Sequence, residues 1–378
     1  MNKVGVLGDG ITAKAVRRFL DQSPDHCVSS VDGADFIVTS PGIPPREWPE
    51  TATEIISDIE FAYRILKAQK KSPTIIGVTG TNGKTTVTAG IAHALEKTPY
   101  GNIGTPLITE VNDILDDDIV VIELSSFQLF SSPTLYCNIA IIMNIESDHL
   151  DWHGSFENYK AAKGNLIKID GGQSIYVPQN LRGDIHGEEV KEIEQLPVPG
   201  WRQFCGQHNE WNAAIILDVL KSLGQSVDEI NRIMDQFKLP PFRCESVFSN
   251  DDLTIINDSK ATNMAATLAA VNSFSGEKLL ILCGEPKSDY SKEWMLGILK
   301  ECHTVYAAGY LNNHKDVFPS EMLEKVTFFS NLKDATSSAI KTTQKGTILF
   351  SPSGASFDEF DNYLARGEAF NQYVKEVI

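Results

Sequence analysis

Basic side chains are scarce in this sequence: 33 lysines and arginines stand against 50 aspartates and glutamates in 378 residues, a net charge of −17. A surface of that sign repels nucleic acid and anionic membranes, so neither is expected as a partner. Any anionic ligand must then be held by local lysines, arginines and helix ends. No apolar run approaches the roughly 18–20 residues that a membrane span needs. The opening run, Met1-Asn-Lys-Val-Gly-Val-Leu7, reads directly as a strand, without the architecture of a signal peptide. Cysteines are few, six at positions 27, 137, 205, 244, 283 and 302, and none forms a CxxC pair. Buried free thiols in a reducing compartment are the better reading, so a cytoplasmic protein is expected. Internal repeats and low-complexity tracts are missing as well, which removes repeat architectures from consideration.

What is present is the composition of an ordinary globular protein, 42% hydrophobic and 22% charged, long enough for two or three domains. Apolar strand-like runs alternate with helical patterns, which predicts an α/β fold with largely parallel sheets. Three segments separate. The first, 1–72, closes on the polar connector Lys67-Ala-Gln-Lys-Lys-Ser-Pro73. The second is 73–238, and the third, 239–378, opens on Leu239-Pro-Pro-Phe-Arg243, whose prolines end the preceding helix. The stretch from Gln173 to Gln203 is irregular and says little.

In the middle segment, Gly77-Val-Thr-Gly-Thr-Asn-Gly-Lys-Thr-Thr86 follows the apolar run Thr74-Ile-Ile-Gly-Val78 and precedes a helical pattern. Strand, glycine turn and helix in that order form a phosphate cradle. Glycines let backbone N–H groups converge on an anion, and the helix directs its positive end at the same point. Gly80, Thr81, Asn82 and Gly83 form the turn, with Lys84, Thr85 and Thr86 opening the helix. In such a turn the lysine reaches the terminal phosphates and the first hydroxyl holds magnesium. The usual Walker spacing is absent, because Val78 and not a glycine stands five residues before Gly83. That departure points away from ordinary NTPases; a nucleoside triphosphate is still the expected ligand.

Behind this turn, the apolar run Ile119-Val-Val-Ile-Glu123 ends on a carboxylate, where a direct or second-sphere magnesium ligand belongs. After a further strand, Asn144, Asp148, His149, Asp151 and His153 crowd into one loop. That density suggests a second cation, magnesium or manganese, or a positioned base, with His153 read as a surface or packing residue. On composition, Lys160 and Lys163 read as solvated helix positions. Asn209 is placed to cap a helix, and Asn212 could read a base edge.

The first segment carries a GxGxxA turn from Gly8 to Ala13, compatible with a Rossmann-like site or a tight βα turn. Its shortness favours a smaller ligand that carries a diphosphate. In the third segment, strand ends at Asn257-Asp-Ser-Lys-Ala-Thr-Asn263, Cys283-Gly-Glu-Pro-Lys287 and Ser351-Pro-Ser-Gly-Ala-Ser-Phe-Asp-Glu-Phe360 each carry Lys, Ser or Asp. A small, charged, carboxylate-bearing substrate fits that recurrence.

Together these motifs resemble the Mur ligase family, ATP-dependent enzymes that build the peptide stem of the bacterial cell wall, over nearly the whole chain. The run Glu123-Leu-Ser-Ser-Phe-Gln-Leu129 and the segments 257–263 and 351–360 are similar to the branch that adds D-glutamate to UDP-N-acetylmuramoyl-L-alanine. The phosphate turn is shared across the family, folylpolyglutamate synthases included. The resemblance implies Rossmann-like N- and C-terminal domains around a central P-loop-type ATPase domain, acting as a monomer on small molecules with ATP and magnesium, two ions in all. By that resemblance Lys84 contacts the ATP phosphates, Thr85 and Glu123 hold one magnesium ion, and His149 holds the other. Lys163 becomes a carbamylated lysine serving metal or phosphate, against its reading from composition. Asn209 and Asn212 lie at the adenine, Arg243 at the phosphates and Asp258 at the ribose. Thr12, Ser40, Gly42 and Asn102 would meet the UDP substrate, and Lys260, Thr262, Lys287, Ser356, Phe357 and Tyr363 would surround D-glutamate. The chain departs from the pattern in its shorter first domain and in lacking an acidic partner for uracil after the second strand. Phe242 also stands where a histidine commonly precedes the arginine, and Tyr363 replaces a common phenylalanine. Open alternatives are a sibling ligase using another amino acid or folate, a P-loop kinase and a nucleotide-dependent switch. A kinase would need no amine, and a switch would not need the charged strand ends.

Overall fold

Strands buried on both faces read as unbroken apolar runs, and helices must then cover both sides of the sheet. The computed structural model describes residues 1–168, 172–183, 190–201, 203–204, 207–287 and 289–378, and holds three such sheets. The first comprises β1 (Asn2–Leu7), β2 (His26–Ser29), β3 (Phe36–Thr39) and β4 (Ile55–Ser57), in the order β2-β1-β3-β4. The second comprises β5 (Thr74–Thr79), β6 (Pro99–Gly101), β7 (Ile119–Glu123), β8 (Ile139–Ile142), β9 (Ser174–Val177) and β10 (Val190–Glu192). Its order is β10-β9-β8-β5-β7-β6. The third comprises β11 (Glu245–Ser249), β12 (Leu253–Asn257), β13 (Lys278–Cys283), β14 (Thr304–Ala308), β15 (Val326–Phe329) and β16 (Gly346–Ser353), in the order β11-β12-β16-β13-β14-β15. Every pairing is parallel except the edge pair of β11 with β12. The expected α/β class holds.

The chain divides into two compact units, Met1–Arg202 with Glu210–Lys238, and Gln203–Asn209 with Leu239–Ile378. The first unit contains the first two sheets. Its helices are α1 (Ile11–Gln22), α2 (Asp58–Ala68), α3 (Lys84–Ala94), α4 (Ser126–Phe130), α5 (Leu150–His153), α6 (Phe156–Gly164) and α7 (Gln179–Arg182), followed by α8 (Gln207–Ser222), which belongs to this unit from Glu210 on, and α9 (Val227–Met234). The second unit carries α10 (Met264–Ser273), α11 (Lys292–Glu301), α12 (Tyr310–Asn313), α13 (Leu332–Thr342) and α14 (Tyr363–Val377). Because α8 begins at Gln207, Asn209 lies inside its first turn and does not cap it.

Two features place the site. In the second sheet β5 pairs with β8 on one side and β7 on the other, so the order reverses at β5. The crevice at the carboxyl ends of such strands is where open α/β sheets bind ligands. In the third sheet β12, β16 and β13 are neighbours, which brings the three charged strand ends onto one edge. The start of α2 is locked to the second sheet's surroundings by Glu60, whose buried carboxylate accepts from Arg64 Nε at 2.8 Å and from the backbone N–H groups of Thr134 and Leu135 at 3.1 and 3.0 Å. The five described cysteines are free thiols; Cys137, Cys283 and Cys302 are buried, Cys27 and Cys244 are half-buried, and Cys205 lies outside the described residues. Among the described residues no helix is long and apolar enough to cross a membrane.

Candidate active site

The phosphate turn leaves β5 and enters α3. Gly80 has φ +148° and Gly83, at the start of α3, has φ +85°. A side chain at Gly80 would place its Cβ 2.7 Å from Met143 Cβ, and one at Gly83 would place it 2.8 Å from Asn212 Oδ1. Backbone angle and space both select glycine here. Lys84 folds over the turn and donates to the carbonyls of Gly80 and Thr81 at 2.7 and 2.8 Å. The β8 end supports the turn from below. Asn144 Oδ1 accepts from the Asn82 N–H at 2.8 Å, and the Thr81 hydroxyl lies 2.9 Å from Tyr159 OH.

Glu123 ends β7, next to β5, and is 1% exposed. One carboxylate oxygen accepts from Asn102 Nδ2 at 2.7 Å, and the other has no hydrogen-bond partner. A buried carboxylate oxygen left over beside a phosphate turn is a position for a hard cation. Asn102 follows β6, so both residues stand on the same edge of the second sheet.

Lys163 corrects its reading from composition. It lies on α6 at 1% exposure and donates from Nζ to Gly80 O at 2.8 Å, with Nζ 4.7 Å from the centre of the Tyr159 ring. Burial, and then the Lys84 cation, hold its pKa well below the ordinary lysine value. An amine whose cationic form is disfavoured is more readily a nucleophile.

The loop after β8 divides its acids and imidazoles among different tasks. His149 has φ +53° and packs its ring against Phe127, with centroids 4.8 Å apart, and its Nε2 lies 3.7 Å from Asp148 Oδ2. Asp148 Oδ1 accepts from the His149 N–H at 2.9 Å, and Asp151 is exposed. His153 turns inward. It bonds Ser126 Oγ at 2.9 Å and stacks on Phe127, and burial pushes its pKa down to about 4. It is a packing residue and not a surface one. Among the described residues no group of three or more His, Cys, Asp or Glu side chains gathers as a metal cage.

On the first sheet, Ser40 follows β3 and approaches the turn after β1 so closely that a Cβ on Gly8 would lie 2.5 Å from Ser40 Oγ. That hydroxyl is buried without a hydrogen-bond partner. Thr12, near the start of α1, and Gly42 belong to the same sheet edge. Asn212, on α8, is 3% exposed and faces Gly83; Asn209 is 5% exposed.

In the second unit Asp258 follows β12. It is buried, accepts from Ser351 Oγ at 2.8 Å and the Cys244 N–H at 3.2 Å, and burial raises its pKa to about 7. Arg243 acts on it electrostatically. Phe242 is buried, and its ring fills the space where a Cβ on Gly367 would lie. Lys260 Nζ sits 4.2 Å over the ring of Tyr363, the first residue of α14. Thr262 follows Lys260, Lys287 follows β13, and Ser356 and Phe357 follow β16. Ser356 is buried and Phe357 is 76% exposed. Sequence reasoning passed over Arg366, Thr81–Tyr159 and the Asn102–Glu123 bond. Only the glycine beside Arg366 and the asparagine beside a motif hinted at them.

A glycine turn between a central parallel strand and a helix, with a carboxylate at the next strand's end, defines a phosphate-binding α/β protein. Comparison with known proteins narrows the class. The Mur ligase middle domain family matches residues 78–193. The chain is 31% identical over 411 residues to the UDP-N-acetylmuramoylalanine--D-glutamate ligase of Francisella tularensis, covering 100% of this chain and 97% of the relative. It is 30% identical over 412 residues to the enzyme of that name from Francisella philomiragia, with the same coverage. The chain belongs to the Mur ligase family. Among solved structures, the fold is shared with the ADP complex of MurF ligase from Thermotoga maritima at TM-score 0.62 and 17% identity, over 99% of this chain and 95% of that one. UDP-N-acetylmuramate-alanine ligase MurC from Thermotoga maritima gives TM-score 0.62 at 17% identity, over 100% and 99%.

Proposed function

We propose that this chain is an ATP-dependent ligase that joins D-glutamate to the carboxylate of UDP-N-acetylmuramoyl-L-alanine, releasing ADP and phosphate, in cytoplasmic synthesis of peptidoglycan precursors. One observation carries the reading: the match to relatives of that name runs from end to end, through the phosphate turn and the charged strand ends alike. Segment 1–72 binds the uridine diphosphate, 73–238 binds ATP and 239–378 binds the amino acid.

A carboxylate is not attacked by an amine until one oxygen becomes a leaving group. The substrate carboxylate attacks the γ-phosphorus, the bond to ADP breaks, and an acyl phosphate forms. The amine of D-glutamate adds to the acyl carbon, loses a proton, and phosphate departs. Lys84 offsets charge on the phosphates, and the N–H groups of residues 80–83 orient them. The residues present fit a hard divalent cation, since Glu123 offers an unpartnered buried oxygen and Thr85 a hydroxyl at the start of α3. Thr85 and Glu123 would hold one magnesium ion, and His149 with Lys163 the other. When bound, magnesium screens the repulsion between carboxylate and phosphate. In its neutral form the Lys163 amine takes up carbon dioxide with loss of a proton, giving an anionic carbamate. Asn209, Asn212, Arg243 and Asp258 bind the nucleotide. Thr12, Ser40, Gly42 and Asn102 bind the UDP substrate. Lys260, Thr262, Lys287, Ser356, Phe357 and Tyr363 surround D-glutamate.

The test is phosphate release from ATP in the presence of UDP-N-acetylmuramoyl-L-alanine, with D-glutamate, L-glutamate, glycine and meso-diaminopimelate added in turn. Release and an amide product with D-glutamate alone are expected. A product with a different amino acid alone would assign the chain to another branch of the family.

A further inference from the structure

The largest fully buried side chain among the described residues is a cation. Arg366, on the first turn of α14, has 0% of its surface exposed. It donates from Nε to Ser259 Oγ at 3.1 Å, from Nη2 to Ser259 O at 2.8 Å and from Nη1 to Gly354 O at 3.0 Å. No carboxylate lies within ion-pair distance of it among the described residues. Burying a charge without a counter-ion is costly, so its backbone acceptors are the feature to explain.

Each acceptor belongs to a strand end that carries candidate amino-acid ligands. Ser259 directly precedes Lys260, and Gly354 lies two residues before Ser356. The third strand end is tied in through backbone bonds, Glu285 N–H to Ala355 O at 3.0 Å and Ala355 N–H to Glu285 O at 2.8 Å, two residues before Lys287. Gly284 has no room for a side chain there, because its Cβ would meet Ala355 O and would lie 2.7 Å from Arg366 Nη1. Ser259 Oγ also donates to Tyr363 O at 2.9 Å, which joins the helix start to the same assembly.

We propose that Arg366 is the positioning residue of the amino-acid subsite, a rigid planar donor that fixes Lys260, Ser356 and Lys287 relative to one another. The inference rests on the assignment of these three strand ends to the amino acid. Its charge, balanced by no carboxylate at hydrogen-bond range, adds to the positive potential that an anionic amino acid meets. Lysine cannot stand in, because an ammonium is a point donor on a flexible stem without the guanidinium's fixed fork.

Arg366→Lys and Ser259→Ala are tested in the full chain, with D-glutamate and the UDP substrate varied separately and thermal melts run alongside. Arg366→Lys is expected to raise KM for D-glutamate about tenfold or more, with KM for the UDP substrate within about twofold of wild type. Ser259→Ala, which removes one acceptor, is expected to shift the same KM in the same direction by a smaller factor. It decides alone if Arg366→Lys does not fold. An unchanged KM for D-glutamate, or equal loss toward both substrates with a lower melting temperature, overturns the proposal and leaves Arg366 a stability element. Wild-type turnover with another amino acid in place of D-glutamate overturns the substrate reading instead. The KM for that amino acid then decides the role of Arg366.

Discussion

Replacing Glu123 with glutamine separates the cost of a buried charge from its use. In the wild type one carboxylate oxygen is held by Asn102, and the other is buried without a partner. Such an atom costs about 1–3 kcal/mol when neutral and more when charged. Glutamine keeps an acceptor for Asn102 and exchanges an orphaned charged oxygen for an orphaned neutral amide. Without metal the variant should gain about 1–2 kcal/mol, which at this domain size raises the melting temperature by about 2–8 °C. With magnesium and ATP the order reverses. The wild type gains about 2.7 kcal/mol when ligand stands at a hundred times its dissociation constant, and Glu123→Gln loses most of that gain. Turnover falls by about a thousandfold or more, the equivalent of several kcal/mol of lost charge screening. The assay is a thermal melt with and without magnesium and ATP, paired with phosphate release. A variant that melts below wild type in metal-free buffer, or that keeps the whole magnesium-dependent rise, would refute the reasoning.

Gly83→Ala puts a Cβ 2.8 Å from Asn212 Oδ1 at a left-handed backbone position, so a lower melting temperature and a KM for ATP raised by about tenfold or more are expected. Steady-state kinetics with ATP varied checks it, and an unchanged KM would remove the turn from the nucleotide site. Wild-type ligation should slow in buffer stripped of carbon dioxide and recover with bicarbonate, while Lys163→Arg, which stays cationic, is inactive in both. Indifference of the wild type to bicarbonate would count against carbamylation. Asp58 is fully buried, and its folded pKa is raised to about 6, by desolvation against the hydrogen bond from Gln128. The folded state therefore holds a proton that the unfolded state has lost above about pH 4. This contribution to stability is present below about pH 4 and disappears as pH rises through about 6. Asp58→Asn should gain on wild type across that window by up to about 3 kcal/mol. Melts from pH 4 to 7.5 showing a constant difference between the two would contradict this.

The phosphate turn was legible because everything it needs is local. Strand, two left-handed glycines, lysine and helix lie within consecutive residues, and backbone sterics tie each to its place. The strand ends of the third segment were legible for the same reason. Asn209 was read as a cap and stands inside α8, which begins two residues earlier at Gln207. His153 shows the limit more sharply. It shares one short loop with His149 and both rings meet Phe127, yet His153 is buried against Ser126 while His149 stays partly exposed.

From sequence alone came the alternation of parallel strands and helices, the turn that cradles phosphates, and the polar residues that close each strand. These follow from local periodicity and backbone angles, which a few neighbouring residues dictate. The tertiary structure alone decided that Lys163 is buried with its cationic form disfavoured, that Glu123 leans on Asn102 with one oxygen to spare, and that Arg366 braces the ends of β12 and β16. The partners in each case are distant along the chain, and burial is set by which strands lie side by side. A lysine or arginine carries no mark of whether water or a carbonyl will meet it; the order of the sheet supplies that answer.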